Sequence, residues 1–225
     1  MDLPQDIQQL PPSHYECKVR AQKKDSKQEV KKRAFSAMSQ LEGWCTEEKA
    51  SILMDLILIL KPQTIVEIGV YGGKSLVPMA YALKENKRGI IYGIDPWSSH
   101  ESIQGMDGDN LEWWGAVNHQ AIYQGLVSKI HSFSLNSYVA LIRTTSEQAS
   151  SVGPIDMLHI DGNHSDETSF LDVTKWVPEV NSGGLIIFDD ITWNTTGRAV
   201  EWLNENCVKV TDFHEFNDWG IWVKR

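Results

Sequence analysis

Along most of the chain, short apolar runs rich in β-branched residues alternate with longer segments in which apolar residues recur at helical spacing. The short runs predict strands and the longer segments predict helices. Strands that alternate with helices pair in parallel, so the pattern predicts an α/β fold: a Rossmann-like, doubly wound, mostly parallel seven-stranded sheet with helices on both faces. The last two runs flank a polar turn and predict a C-terminal antiparallel hairpin. The predicted strands are residues 64–68, 89–94, 139–143, 155–160, 184–188, 208–213 and 220–223.

Residues 1–44 do not follow this alternation and are predicted to be an N-terminal tail before a single domain of residues 45–225. Residues 1–26 are polar and contain three prolines. Residues 27–41 predict a basic helix, which is either a solvated surface helix or a lid over an active site. Thr46 is a typical N-cap for the next helix, which is apolar on nearly all sides up to Leu60 and should be buried.

The segment 98–124 is longer than a simple connection between two strands. Long insertions at the ligand-binding end of a sheet often form the substrate pocket. The segment contains Trp113 and Trp114, and two interpretations stay open for this pair. They are either an apolar wall for a sugar or aromatic ring, or ordinary core residues.

Composition narrows the class of protein. With 225 residues, 41% of them hydrophobic, the chain is long enough to bury a large core and is not of a disordered, collagen-like or coiled-coil type. The net charge of -9 disfavours a nucleic-acid partner, because a polyanion would be repelled. An acidic balance suits a protein that holds a cation or handles a neutral small molecule.

The sequence also bears on location. The longest apolar stretch, residues 52–60, is too short to span a bilayer, and the first residues lack the pattern of a secretory signal. The 3 cysteines are too few for a disulfide framework. We therefore expect a cytoplasmic protein without a membrane partner. A homo-oligomer is compatible with the sequence, which does not fix the oligomeric state.

The predicted strands share one feature at their carboxyl ends. Each of four apolar runs is followed by a glycine or a carboxylate, and ligands of open α/β sheets bind beyond these strand ends. A charged group directly after a buried strand is costly unless it faces such a cleft. One site is therefore predicted at this edge, formed by Gly69, Asp95, Asp161 and Asp189.

The first of these positions opens a glycine-rich loop, residues 67–75. Glycines allow the backbone to approach a ligand, and the start of the following helix presents free N–H groups. A plain strand-to-helix turn is the alternative. Asp95, at the end of the next strand, is predicted to accept the hydroxyls of a ribose, whereas its alternative role is a turn residue before proline. Trp97 either stacks on an adenine or packs in the core.

Three carboxylates follow the fourth and fifth predicted strands, namely Asp161, Asp189 and Asp190. Together in one cleft they would repel one another, and a divalent cation would relieve the repulsion. Oxygen ligands favour Mg²⁺, Ca²⁺ or Mn²⁺ over zinc or copper. The alternative is structural: Asp189 and Asp190 cap a helix, and Asp161 forms a turn. His159 lies inside a strand and is predicted to be a buried core histidine.

Together these motifs resemble the class I S-adenosylmethionine-dependent methyltransferases, specifically the metal-dependent O-methyltransferases. The glycine-rich loop and the strand-end aspartates are similar to the cofactor loop and metal ligands of catechol O-methyltransferase. Residues 159–164, 183–190 and 219–222 are similar to bacterial sugar and natural-product O-methyltransferases. The resemblance covers about residues 45–225.

The resemblance implies methyl transfer from S-adenosylmethionine to a hydroxyl of a small molecule, a sugar or natural product, with Mg²⁺ or another hard cation such as Mn²⁺ or Ca²⁺. His164 stands where the catechol enzyme has a lysine, so it is the implied base. The implied metal ligands are Asp161, Asp189 and Asp190. The residues predicted to contact the cofactor are Glu67, Gly69, Tyr71, Gly72, Gly73, Ser75, Asp95, Trp97, Ser146, Glu147 and Asp161.

Other functions are compatible with parts of this pattern. His159 and Asp161 with the distant His214 match the ligand set of a non-haem iron, 2-oxoglutarate-type hydroxylase. That set is usually carried by a β-sandwich, whereas this chain alternates strands and helices. A non-catalytic binding module and a metal-dependent hydrolase are further alternatives; the hydrolase leaves the glycine-rich loop and Asp95 unexplained.

Overall fold

A computed structural model describes residues 27–214 and 218–225 of the chain. The predicted tail of residues 1–26 lies outside the described residues. Within the described ranges, no helix has both the length and the apolar character needed to cross a membrane.

One mixed sheet of seven strands forms the centre of the fold, in the order β3-β2-β1-β4-β5-β7-β6. The first five strands of this order are parallel, and β7 is antiparallel to both β5 and β6. The predicted doubly wound sheet with its C-terminal hairpin is therefore confirmed. The strands are β1 Thr64–Ile68, β2 Ile90–Ile94, β3 Val139–Ile142, β4 Ile155–Ile160, β5 Val180–Asp189, β6 Cys207–Phe213 and β7 Trp219–Lys224.

Helices connect the parallel strands and cover both faces of the sheet. The segment 98–124, predicted as an insertion, folds into two short helices and the start of a third. Two 3-10 turns, Val177–Glu179 and Asn194–Thr196, lie beside the later helices. The helices are α1 (residues 27–38), α2 Glu47–Leu60, α3 Leu76–Asn86, α4 Ser99–Ser102, α5 Gly108–Ala116, α6 His119–Ser132, α7 Asp166–Trp176 and α8 Gly197–Asn206.

The core has two layers, one on each face of the sheet. The first layer contains residues of α1, α2, α3 and α6, and the second contains residues of α7 and α8. Alternation along β1 separates the layers, since Ile65 belongs to the first and Val66 to the second. The buried side of α1, with Val30 and Ala34, packs into the first layer, so this helix is not merely a solvated surface helix.

Strand register places polar side chains on the face that α2 covers. Glu67 of β1 is opposite His159 of β4, and His159 is opposite Ile187 of β5. Because successive side chains alternate between faces, Asp189 lies on the same face as Ile187. The carboxyl ends of three adjacent strands therefore carry ionisable groups beneath α2.

Candidate active site at the carboxyl ends of the strands

A cavity of about 990 Å³ opens where the parallel strands end. Its walls come from the loops after β1, β2, β3, β4 and β5, with further residues from the start of α2 and from α5. A cavity of this size holds a nucleotide-sized ligand. Two parts of its rim differ in chemistry: the cofactor edge, named for its predicted role and formed by Gly69, Tyr71, Ser75 and Asp95, and the acidic edge, formed by Asp161, His164, Asp189 and Asp190.

The glycine-rich loop approaches the neighbouring strand end closely. Gly69 has a φ of 82°, and a Cβ at this position would lie 2.0 Å from the backbone oxygen of Asp161. Only glycine fits here, because any side chain would collide with the main chain of Asp161. Tyr71 also has a left-handed φ, of 48°. Such conformations in non-glycine residues are held by surrounding contacts and are frequent at functional sites.

Asp95 holds this loop in place. Its Oδ2 accepts hydrogen bonds from the backbone N–H groups of Val70, at 3.1 Å, and Tyr71, at 2.9 Å. Its Oδ1 accepts one from the N–H of Trp97, at 2.6 Å. Burial raises the pKa of Asp95 above its usual value and outweighs these three N–H groups, which lower it. The carboxylate lines the cavity and thus both orders the loop and faces the ligand space.

The residues predicted to contact the cofactor divide into two groups. Those that line the cavity are Gly69, Tyr71, Ser75, Asp95, Ser146, Glu147 and Asp161. Those that do not line it are Glu67, Gly72, Gly73 and Trp97. Trp97 is 2% exposed, packs on Tyr123 and donates its ring N–H to the carbonyl of Tyr71, so of its two interpretations the packed one describes its position. A Cβ at Gly72 would collide with Glu42, and one at Gly73 would collide with Leu126, so these glycines allow close packing rather than access to the cavity.

The loop that carries Ser146 and Glu147 is held from below by α7. Nζ of Lys175 donates to the carbonyl of Ser146 at 2.8 Å, and the ring N–H of Trp176 donates to the same carbonyl at 3.2 Å. Asp172, buried on the same helix, also lines the cavity, and burial raises its pKa to about 7. Asp172 is therefore a candidate site residue that was not predicted from the sequence.

A chain of buried polar side chains runs beneath the acidic edge. Oε1 of Glu67 accepts a hydrogen bond from the hydroxyl of Ser75 and lies 3.0 Å from Nδ1 of His159. Nε2 of His159 lies 3.3 Å from Oδ1 of Asp189. The ammonium of Lys49, from the first turn of α2, forms an ion pair with Oδ2 of Asp189. Both carboxylate oxygens of Asp189 are thus engaged by cationic or potentially cationic groups of the chain.

Burial and the charges of neighbouring groups shift the pKa values of the residues in this cluster. Burial by itself would lower the pKa of Lys49, but Asp189 and Asp161 outweigh it and raise that pKa. Burial would likewise raise the pKa of Asp189, yet Lys49 and His159 hold it well below its ordinary value. Burial and the charge of Lys49 lower the pKa of His159, but Asp189 and Glu67 outweigh them and raise that pKa to about 9. Burial, aided by the charge of Asp189, raises the pKa of Asp161 to about 7.

His164 and Asp190 form a second pair at the same edge. Nδ1 of His164 lies 2.9 Å from Oδ2 of Asp190, and its Nε2 lies 3.8 Å from Oδ1 of Asp161. Nε2 is buried and has no hydrogen-bond partner among the described residues. Burial would lower the pKa of His164, but the hydrogen bond to Asp190 and the nearby carboxylates outweigh it, so the pKa is raised from 6.5.

Four aromatic rings line the cavity: Trp44, Tyr71, Trp113 and Trp114, here called the aromatic cluster. Trp44 stacks on Tyr71 with ring centroids 5.5 Å apart, and Trp113 meets Trp114 edge-on at 4.8 Å. Trp113 remains 44% exposed, so this pair forms a wall of the cavity rather than core. Trp44, which the sequence analysis did not single out, lies in the connection before α2.

The predicted metal ligands do not offer a set of unengaged oxygens. Asp189 is bound by Lys49 and His159, and Asp190 is bound by His164. Ligand atoms of Asp161, His164 and Asp190 lie within 4.8 Å of one another, as do those of His159, Asp161 and Asp189. A divalent cation at Asp189 would have to displace an ammonium group. These side chains therefore do not fit the predicted magnesium ion.

A family model for a methyltransferase domain matches residues 66–191. The chain belongs to this methyltransferase family. The matched region begins within β1 and ends just after Asp190, so it includes the glycine-rich loop, Asp95 and the whole acidic edge. Lys49 and Trp44 lie before the matched region. No curated protein sequence matches the chain.

Solved methyltransferase structures share the fold. The O-methyltransferase TomG from Streptomyces achromogenes, involved in tomaymycin synthesis and solved with S-adenosylmethionine, is 15% identical, with a TM-score of 0.60 over 87% of this chain and 89% of that chain. An O-methyltransferase from Bacillus cereus in complex with S-adenosylhomocysteine is 17% identical, with a TM-score of 0.57 over 89% and 91%. The Podospora anserina methyltransferase PaMTH1, bound to S-adenosylhomocysteine, is 13% identical, with a TM-score of 0.59 over 97% and 100%. These similarities confirm the predicted class I methyltransferase fold.

Proposed function

We propose that this methyltransferase transfers a methyl group from S-adenosylmethionine to a hydroxyl group of a small molecule. The observation that carries the proposal is the pair formed by His164 and Asp190 at the rim of the cavity. One ring nitrogen of His164 is held by a carboxylate, and the other has no hydrogen-bond partner among the described residues. An imidazole oriented in this way is the usual form of a general base.

The cavity suits the cofactor that the structurally similar enzymes bind. The TomG structure contains S-adenosylmethionine, and the Bacillus cereus and Podospora anserina structures contain S-adenosylhomocysteine. In this chain, Gly69, Tyr71 and Ser75 would contact the methionine part. Asp95 would accept a ribose hydroxyl through Oδ1, which receives a single backbone hydrogen bond. The residues after β3 would contact the adenine.

The acidic edge supplies the proton transfer. When bound, S-adenosylmethionine provides a methyl group on a positively charged sulfur. Nε2 of His164 takes the hydroxyl proton as the acceptor oxygen bonds to the methyl carbon and the carbon–sulfur bond breaks, which releases S-adenosylhomocysteine. Asp190 keeps the imidazole ring oriented and stabilises the imidazolium that forms. Since the pKa of His164 is raised, the rate of transfer should increase as the pH rises through that pKa.

The aromatic cluster supports a ring-shaped acceptor. Flat apolar faces next to polar cavity walls are typical of sites that hold sugars or aromatic natural products. The acceptor would lie between the aromatic cluster and His164. A bound Mg²⁺ at Asp161, Asp189 and Asp190 stays a prediction from the sequence, which the engaged oxygens of Asp189 do not support.

The iron-dependent hydroxylase is not favoured. Both ring nitrogens of His159 are engaged, one with Glu67 and one with Asp189, so this histidine is not available as an iron ligand. His214 is exposed and pairs with Asp212 of β6.

Two measurements test the proposal. Calorimetry with S-adenosylhomocysteine should show one binding site, and a panel of hydroxylated sugars and phenols should include an acceptor of label from methyl-labelled S-adenosylmethionine. With that acceptor, His164→Ala should lower the rate by roughly 100-fold or more, while its affinity for S-adenosylhomocysteine stays within about threefold of wild type because the ring binds the acceptor proton rather than the cofactor. The matched control is His131→Ala, at an exposed position of α6. Absence of S-adenosylhomocysteine binding, or a wild-type rate in His164→Ala, would contradict the proposal.

A further inference from the structure

Lys49 is placed unusually for a lysine. It belongs to the first turn of α2, whose other buried residues are all apolar, and it is itself 2% exposed. A cation near a helix N-terminus opposes the helix dipole, and burial of an ammonium adds a desolvation cost. Both costs have to be compensated by a specific partner.

The partner is the acidic edge. The ammonium of Lys49 forms its ion pair with Oδ2 of Asp189 and lies in the field of Asp161, and it forms part of the cavity wall. Ligand atoms of Asp161 and Asp189 lie within 4.8 Å of each other, a separation that a single cation can bridge. This is the position that the sequence analysis assigns to a divalent ion.

We propose that Lys49 permanently occupies the cation position of this site, so that the protein binds no divalent metal ion between Asp161 and Asp189. The proposal rests on the proposed function for the role of the site, but not for its geometry. Among the described contacts, the ammonium has one side-chain hydrogen bond, to Asp189, and an ammonium has three N–H donors. In the proposed reaction, its charge would stabilise the acceptor oxygen as that oxygen loses its proton to His164.

The test measures metal binding and needs no acceptor. Metal-free protein is titrated with MnCl₂ near neutral pH, and bound Mn²⁺ is followed by electron paramagnetic resonance. Wild type should show no saturable site with a Kd below about 1 mM. Lys49→Met, which empties the cation position and leaves the carboxylates, should gain one site that is at least roughly tenfold tighter. Lys49→Met combined with Asp189→Asn should lose that site again.

Two controls isolate the position of the charge. Lys74→Met removes another lysine of the cavity wall, whose ammonium donates to the carbonyl of Gly43 at 3.0 Å, and should leave Mn²⁺ binding at the wild-type level. Lys49→Arg keeps a cation and should gain no site. Circular dichroism checks that each variant is folded.

A tight Mn²⁺ site in wild type that Asp161→Asn abolishes would overturn the proposal, and this measurement does not depend on whether Lys49→Met folds. A folded Lys49→Met variant that gains no site would overturn it as well. Calorimetry with S-adenosylhomocysteine on the same samples separates the two proposals. Cofactor binding together with a tight wild-type metal site contradicts only the role of Lys49, whereas lack of cofactor binding contradicts only the methyl transfer.

Discussion

The cofactor edge and the acidic edge both place carboxylates at the ends of buried strands, but they neutralise them differently. Asp95 is held by three backbone N–H groups from within 25 residues of chain. Asp189 is held by the side chains of Lys49 and His159, and the first of these lies 140 residues away in sequence. One carboxylate therefore depends on the local path of the chain, and the other depends on how distant elements pack.

This difference has a chemical consequence. Backbone N–H groups bring no counter-charge to Asp95, and its oxygens can still accept hydrogen bonds from a neutral ligand. At the acidic edge, an ammonium and two imidazoles offset the carboxylates, so the edge can accept and release a proton without accumulating a large charge. The first edge suits binding, and the second suits proton transfer.

The largest effect is expected where the two edges touch. Gly69→Ala should destabilise the fold by at least about 4 kcal/mol, because the new Cβ would collide with the backbone of Asp161 and the φ of 82° disfavours alanine. Urea denaturation measures the free energy of unfolding. The control, Gly125→Ala in α6, has open space around the new Cβ and should gain roughly 0.5–1 kcal/mol. Equal stability of the two variants would show that the edges are not in contact.

The next effect tests the acidic edge alone. Lys49→Met should cost about 3 kcal/mol of unfolding free energy, because it leaves Asp189 buried without its main cationic partner. Adding Asp189→Asn should restore part of that loss. Lys31→Met, which breaks the partly exposed pair with Asp55 at 2.6 Å, should cost no more than about 1 kcal/mol in the same denaturation experiment. If Lys49→Met and Lys31→Met lose the same free energy of unfolding, the buried ion pair contributes no more to stability than the partly exposed one.

At the cofactor edge, Asp95→Asn should cost roughly 1–3 kcal/mol, since an amide nitrogen would face backbone N–H groups that now meet a carboxylate oxygen. Affinity for S-adenosylhomocysteine should fall as the loop loses its order. Calorimetry and urea denaturation of the same variant report both quantities. An unchanged affinity would show that the loop binds the cofactor without help from Asp95.

The smallest effect concerns pH. The pKa of His164 is raised in the folded protein, so its protonation stabilises the fold fully below pH 6.5, and this contribution is lost as the pH rises through the raised pKa. NMR titration of the ring should show the raised pKa, and Asp190→Asn should lower it because the hydrogen bond to Nδ1 is weakened. An unchanged pKa of His164 in the Asp190→Asn variant would show that Asp190 does not raise it.

The cofactor edge could be predicted from the sequence because its determinants are local. A strand pattern locates its own end, so Gly69 and Asp95 could be placed at one rim without coordinates. Glu67 and Trp97 were also predicted to contact the cofactor, yet both are buried away from the cavity. Alternation alone does not tell which buried polar groups face a cavity and which face a neighbouring helix.

The partner of Asp189 could not be predicted in this way. The identity of this partner depends on which face of the sheet α2 covers and on how close the first turn of α2 comes to the ends of the strands. A signal was present in Lys49, a basic residue in the first turn of an apolar helix, where it opposes the dipole. Trp44 gave no comparable signal, because it lies in a connection whose path only the packing of α1 and α2 determines.

Trp44 and Lys49 have one further consequence. Four residues separate the exposed ring of Trp44 from the buried ammonium of Lys49, and the start of α2 lies between them. Under the proposed function, a change in this short stretch that accommodates a bulkier acceptor would also shift the charge of Lys49, which is proposed to lie beside the acceptor oxygen. Evolution or engineering of acceptor range would therefore be easier through α5, which carries Trp113 and Trp114 and contributes no lysine or arginine.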